Sequence, residues 1–218
     1  MSYDNLQRLP DPNTSPTGPG FVSQSLLPNT PGMVHPLNSG ESVSVKFAGD
    51  YWNITLGYPQ LTVAEGSTIF PFLYSLQGGF TNFYVQLPTM ANPTTGAWGA
   101  GLHTDVFGAG NLTAPLSNQL AISSWSSVSG ANDLSVGDPI KISSMKKIFL
   151  IVGTDLNADV MTLTLSSDIP DTSLLVGAGV QPNDIRFRVK LKGKTPSAVL
   201  DADGLYAAFS LSLRENTL

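Results

Sequence analysis

Cysteine is absent from this chain, which removes disulfides, thiolate metal sites and cysteine nucleophiles together. Histidine is almost absent: His35 and His103 are the two in the chain, too few for the ligand sets of an ordinary zinc enzyme. Charge is scarce as well, with Asp, Glu, Lys and Arg making up 12% of the residues, about half the usual share. Glutamate occurs as Glu41, Glu65 and Glu215, so the acids are chiefly Asp, which favours turns and caps over helix interiors. The longest clean apolar run, 148–152, falls far short of the roughly 18 residues that a spanning helix needs. Met1-Ser2-Tyr3-Asp4 carries neither the cationic nor the apolar region of a signal peptide. These absences predict a soluble protein made in a cytoplasm, with no membrane partner and no cofactor.

What is present points to strands. Of 218 residues, 41% are apolar, enough for a sizeable core, and 21 Gly with 16 Pro supply frequent turns. A disordered acidic chain or a coiled coil would have neither balance. Net charge is −5 and the isoelectric point about 4.8, which disfavours a conventional nucleic-acid binder, since phosphate neutralisation needs clustered Lys and Arg. The distribution is uneven. Residues 47–140 hold no Lys or Arg but five acids, whereas five of the eleven basic residues fall within 186–194.

Seven prolines and four glycines punctuate residues 1–41. Proline supplies no amide donor and restricts the residue before it, so this segment is expected to be an extended arm without regular structure. A disordered tail and an arm ordered against a neighbouring subunit both fit it. Period-two alternation begins at Ser42 with Val43, Val45 and Phe47 on one face, and Gly49-Asp50 then predicts a hairpin turn into a strand over 51–58. Thr62-Val63-Ala64-Glu65 has capping-box spacing, and Ile69, Phe72, Leu73 and Leu76 recur at helical intervals before Gly78-Gly79. Pro71 inside that pattern implies a kink or a later start at Ser67. Strand character returns over 80–87, stays weak through the Gly-, Ser- and Thr-rich stretch 89–134, and is clear in three short strands within 135–166. Two long strands are expected over 185–192 and 205–213.

Motifs for chemistry are few. Asp155-x-Asn157-x-Asp159 opens like a calcium loop, but Val160 replaces the required Gly and Ser166 the bidentate Glu, so a strand-connecting turn fits better. His103 and Asp105 could pair as base and orienter, yet no Gly-x-Ser-x-Gly elbow accompanies them. No catalytic residue is assigned, and the chain is read as a non-enzyme. Trp98 and Trp125 in polar loops could stack on sugars, which keeps a carbohydrate- or receptor-binding β-module open as the alternative function.

The distinctive pattern is Ile185-Arg186-Phe187-Arg188-Val189-Lys190-Leu191-Lys192. In a strand, the apolar members face the core while Arg186, Arg188, Lys190 and Lys192, followed by Lys194, form a cationic row. Charges roughly 7 Å apart along one face lie within the Debye length of about 8 Å and repel unless something negative stands opposite. A solvated strand face, a nucleic-acid groove and a contact with acidic loops of an adjacent copy are the three readings. The last predicts that charge reversal at Arg188 and Lys190 dissociates an oligomer at low salt. These five cations are the candidate subunit-interface residues.

The order of motifs resembles the distal tail and baseplate ring proteins of tailed bacteriophages. It runs Tyr51-Trp52, Tyr58-Pro59, Glu65 opening a helix to Phe72-Leu73, Gly78-Gly79, then 83–88. Val136-Gly137-Asp138, the 147–152 strand, Thr162-Leu163-Thr164-Leu165 before Pro170, and closing strands ending at Glu215 follow. The resemblance covers roughly 42–215, departs in the Pro-rich arm and at Asp159-Val160, where a glycine is expected nearby, and rests on order and spacing. It implies a mainly β fold, a split β-barrel or sandwich with one flanking helix, plus an inserted small β-domain. Residues 42–92 and 183–218 would form one discontinuous ring-forming domain, 93–182 the insertion and 1–41 the extended arm. It also implies a structural virion protein of the tail or baseplate, assembled in the host cytoplasm as a homo-oligomeric, hexameric ring. That ring would connect tail-tube to tip proteins, with DNA passing through its lumen and no specific nucleic-acid contact.

Overall fold

The computed structural model describes residues 6–14, 17–46, 49–91, 112–123, 134–158 and 160–217. In chain order its first strands are β1 (Ser23–Asn29), β2 (Gly32–Pro36), β3 (Ser42–Lys46) and β4 (Tyr51–Tyr58), followed by helix α1 (Val63–Ser75) and β5 (Phe83–Val85). Then come β6 (Leu112–Thr113), β7 (Gln119–Ser123), β8 (Pro139–Ile142), β9 (Ile148–Asn157) and β10 (Val160–Leu165). β11 (Val180–Gln181), β12 (Phe187–Leu191) and β13 (Phe209–Glu215) complete the set. The protein is mainly β, with a curled half-barrel sheet and, among the described residues, one α-helix.

That sheet has the order β1-β4-β13-β12-β5, and its pairings are antiparallel. Inside it, between β1 and β13, β4 alternates strictly: Trp52, Ile54, Leu56 and Tyr58 are buried while the residues between them are not. Leu56 stands opposite Leu211, and Ile54 opposite Leu213, so the two strands present one continuous apolar face. Helix α1 covers it with Ile69, Phe70 and Leu73. The Thr62 hydroxyl accepts from the Glu65 amide (3.3 Å), and the Glu65 carboxylate accepts from the Thr62 amide (2.9 Å). Both halves of the expected capping box therefore form. The helix passes through Pro71 without restarting at Ser67. Pro71 lies on the exposed face, where water can serve the carbonyl that loses its amide partner.

Two expectations for the N-terminal region fail. β4 does not pair with β3: β3 pairs with β2, register Met33 to Val45, as a separate two-stranded sheet. β4 takes two seven-residue neighbours instead, β1 and β13, which pair both of its edges. Residues before Ser42 are also not devoid of regular structure, since β1 and β2 lie there. Proline is compatible because β1 is an edge strand, where Pro28 need not donate on its outer side, and Pro36 ends β2. Strand character over 80–87 contracts to β5, flanked by 3-10 turns at Gln77–Gly79 and Pro88–Met90.

The second sheet runs β11-β8-β9-β10-β7-β6, again antiparallel. Its own core gathers Leu120, Ile122, Ile140, Phe149, Ile151 and Leu163. β9 joins the two cores, with Ile148 buried in the first and Phe149 in the second, as alternation of consecutive strand residues requires. The β9–β10 turn puts Ala158 at φ +52°, where the family pattern predicts a nearby glycine.

Candidate functional site

The strand expected over 185–192 contracts to β12 (Phe187–Leu191), so that of the cationic row Arg188 and Lys190 lie on the strand, Arg186 precedes it and Lys192 and Lys194 follow it. Ile185, Phe187, Val189 and Leu191 are buried, and Arg186, Arg188 and Lys190 alternate with them as half-buried residues on the opposite side. Lys192 and Lys194 follow, exposed, on either side of Gly193. Lys190 stands across from Arg214 on β13, whose guanidinium lies 3.8 Å from the centroid of the Tyr51 ring. That stacking disperses one positive charge over an aromatic face.

Arg186 meets an acid of its own chain. Its guanidinium grips Asp184 through Nε (3.0 Å) and Nη2 (2.5 Å). Asp184 also accepts from Gln86 Nε2 (2.9 Å), Gln86 Oε1 accepts from Arg8 Nη2 (2.6 Å), and Arg8 reaches Asp11 at 2.9 Å. A polar chain thus ties the N-terminal segment to β12. Arg186 and Arg188 further share a cavity of about 170 Å³ with Lys141 and Lys146. Sequence reasoning did not group these four, although Lys141 and Lys146 open the basic part of the chain directly after the base-free stretch.

The acids of 47–140 that lie among the described residues are engaged within the chain. Asp50 pairs with Lys46 at 3.0 Å, Glu65 caps α1, and the fully buried Asp138 accepts from the Ser135 amide at 2.8 Å. Asp105 and Asp133 lie outside the described residues, as do His103, Trp98, Trp125 and Asp159. Asp155 and Asn157 sit in the strand β9. Among the described residues no three His, Asp or Glu side chains gather as a metal site, and no helix is long and apolar enough to cross a membrane.

Two features were not anticipated. The first is the β2–β3 sheet, in which each residue is exposed. Register places Met33, His35, Val43 and Val45 on one face, and Met33, Val43 and Val45 are each about 45% exposed. Lys46 anchors its end to Asp50 and, at 2.7 Å, to Asp168. These two carboxylates hold the Lys46 ammonium above its ordinary pKa, and Lys46 in return, with Ser117, holds Asp168 below the usual carboxylate range.

The second is the seam between the sheets. Alternation along β13 turns Glu215 inward, where it is 2% exposed. Its two oxygens accept from the Ile148 amide (2.8 Å) and the Trp52 amide (3.2 Å), while Trp52 Nε1 donates to the Ile148 carbonyl (2.8 Å). Burial pushes the Glu215 carboxyl up to about 7, against the opposing pull of the two amides and of Lys147. Burial likewise lowers Lys147, whose ammonium lies 5.4 Å from the Phe149 ring centroid.

Residues 9–90 match the family model described as distal tail protein pb9, A domain, N-terminal. The chain is 30% identical to distal tail protein pb9 of Escherichia phage T5 over 219 residues, covering 96% of this chain and 99% of that protein. Over nearly its whole length, then, the chain belongs to the distal tail protein pb9 family of bacteriophages.

Proposed function

We propose that this protein is the repeating unit of a closed homo-oligomeric ring, six copies around the tail axis, at the distal end of the tail tube or in the baseplate, where it joins tube to tip. Family membership makes it a structural component of the virion tail that associates with other tail components. The observation that carries the ring is the β2–β3 hairpin. A lone two-stranded sheet is marginal in water, and here it exposes Met33, Val43 and Val45 on one face. Seating that face on the next copy is a heterologous contact, and repetition around an axis closes it. Lys190, Lys192 and Lys194 would add steering toward acidic loops of the neighbour.

The two cores support a division into a ring-forming unit, 42–92 with 183–218, and an inserted unit, 93–182. The arm 1–41 contributes β1 and Leu9 to the first core. The 94 residues without a base suit a lumen wall along which DNA slides without sticking. Assembly would take place in the host cytoplasm without catalysis by this chain.

Native mass spectrometry and negative-stain images of the purified protein are expected to show six-fold mass and rings with a pore. Val43→Asp combined with Val45→Asp should yield monomers with an unchanged far-UV spectrum, and Lys190→Glu with Lys192→Glu should weaken the ring at low salt. A chain that remains monomeric at high concentration sinks the proposal. Rings indifferent to the valine pair would remove the hairpin from the contact.

A further inference from the structure

A small cavity lies where the two sheets meet beside the hairpin. Its wall takes Pro28 from the end of β1, Asp50 and Trp52 from the entry of β4, Lys147 from just before β9, and Ser166 and Ser167 from just after β10. The cavity measures about 10 Å³, the space of one water molecule and no more.

Three polar groups of this wall are buried with unmet hydrogen-bonding capacity. Asp50 is 8% exposed; its Oδ2 pairs with Lys46 at 3.0 Å, whereas its Oδ1 is buried with no hydrogen bond among the described residues. Ser167 Oγ is in the same condition. Lys147 is 6% exposed, and its ammonium makes no hydrogen bond or ion pair among the described residues. Asp50 and Glu215 attract it through space, and the Phe149 ring at 5.4 Å faces its charge, but neither supplies an acceptor at hydrogen-bond distance.

Buried polar groups of folded proteins are, in the great majority, served by protein or by ordered water, because leaving one unmet forfeits its hydration. A cation in this cavity would face Lys147, and an anion would face Asp50. A neutral molecule that both donates and accepts suits the two together. We propose that the cavity holds one structural water, which donates to Asp50 Oδ1, accepts from Lys147 Nζ and shares a third hydrogen bond with Ser167 Oγ. Three bonds are the usual complement of a buried water. Asp50 also holds Lys46, the last residue of β3, so this water joins the hairpin, the five-stranded sheet and the six-stranded sheet at one node. The site lies within one copy, and its test is independent of the ring.

A crystal structure of the full chain, at a resolution that shows ordered water, is expected to place one water within hydrogen-bond distance of the three atoms. In solution, deuteron magnetic relaxation dispersion counts waters held longer than the protein takes to tumble. Ser167→Val fills the cavity and should lower that count by one. Ser167 Oγ and Lys147 Nζ make no direct hydrogen bond, so coupling between them must pass through the water. Thermal midpoints of Ser167→Ala, Lys147→Met and the double variant, each checked for native far-UV signal at one protein concentration, should depart from additivity by about 2 °C or more. A wild-type cavity without water overturns the proposal, as does an unchanged water count in Ser167→Val or a set of additive midpoints.

Discussion

Replacing Glu215 by Gln tests the account of the seam most directly. A carboxyl whose pKa is near 4.5 in the unfolded chain and about 7 in the folded one binds more protons when folded throughout that interval. Stability then falls as pH rises. The contribution is fully present below about 4.5 and is lost as pH passes 7. With 1.36 kcal/mol per unit, the whole span amounts to about 3 kcal/mol, of which about 2 kcal/mol falls between pH 5 and pH 7. Glu65, Asp168 and Asp171 are held below their ordinary values by hydrogen bonds from Thr62, Lys46 and Ser173 respectively. They titrate on the acid side and act with the opposite sign, so the window from pH 5 to pH 7 isolates Glu215 among the shifted carboxyls.

Glutamine keeps the shape and one acceptor but cannot ionise. Its amide nitrogen faces one of the Ile148 and Trp52 amides, leaving one buried donor unmet at a cost of about 1–3 kcal/mol. That cost should be nearly independent of pH. Urea unfolding followed by tryptophan fluorescence at pH 5, 6, 7 and 8, at one protein concentration, is therefore expected to show the variant less stable at pH 5. Its deficit should shrink by about 2 kcal/mol by pH 7. Parallel stability profiles for the two proteins would refute the reasoning, since they would place the titration of Glu215 outside this range.

Gly66→Ala should destabilise even though alanine is the better helix former by about 1 kcal/mol. A Cβ there overlaps the Tyr206 ring, which is held by tilted contact with Phe70 (4.9 Å) and by paired backbone bonds to Leu61. Overpacking costs about 1–3 kcal/mol, and a rise in the unfolding midpoint would contradict the close helix packing. Ala158→Gly should act in the other direction: φ +52° costs a non-glycine residue about 1–2 kcal/mol, partly offset by glycine's greater unfolded-state entropy. A gain of about 0.5–1 kcal/mol in urea unfolding is expected, and a loss would show that the turn does not strain Ala158.

The parts of the fold legible in the sequence are those set by neighbouring residues. The strand over 51–58, the opposite faces of β12, and the Thr62–Glu65 capping box depend on local composition and on spacings of two or three, and appear as read. Partner choice does not. Gly49 does take φ +104°, as a turn requires, yet β3 pairs with β2, because β1 and β13 occupy both edges of β4. Pro28 argued against a strand, but only a two-sided strand excludes it. Glu215 gave no local signal at all: its acceptors serve amides 67 and 163 residues away. The four-cation cavity was hidden for the same reason, since Lys141 and Arg188 meet only when the two sheets do.

The scarcity of charge has a structural counterpart. Many of the acids serve fixed short-range tasks: Asp11 with Arg8, Asp50 and Asp168 with Lys46, Asp184 with Arg186, Glu65 and Asp171 as caps, and Glu215 in the seam. The cations are arranged differently. Lys190 is half-buried on β12 and Lys192 and Lys194 are exposed just beyond its end, and four others line one cavity. A face of spaced, solvated charges is screened within about 8 Å at physiological salt, so the row can steer a neighbour but contributes little once it has docked. The apolar hairpin, insensitive to screening, is left to supply the lasting part of any contact between copies. For the proposed ring, salt should accordingly slow assembly more than it loosens a ring already formed.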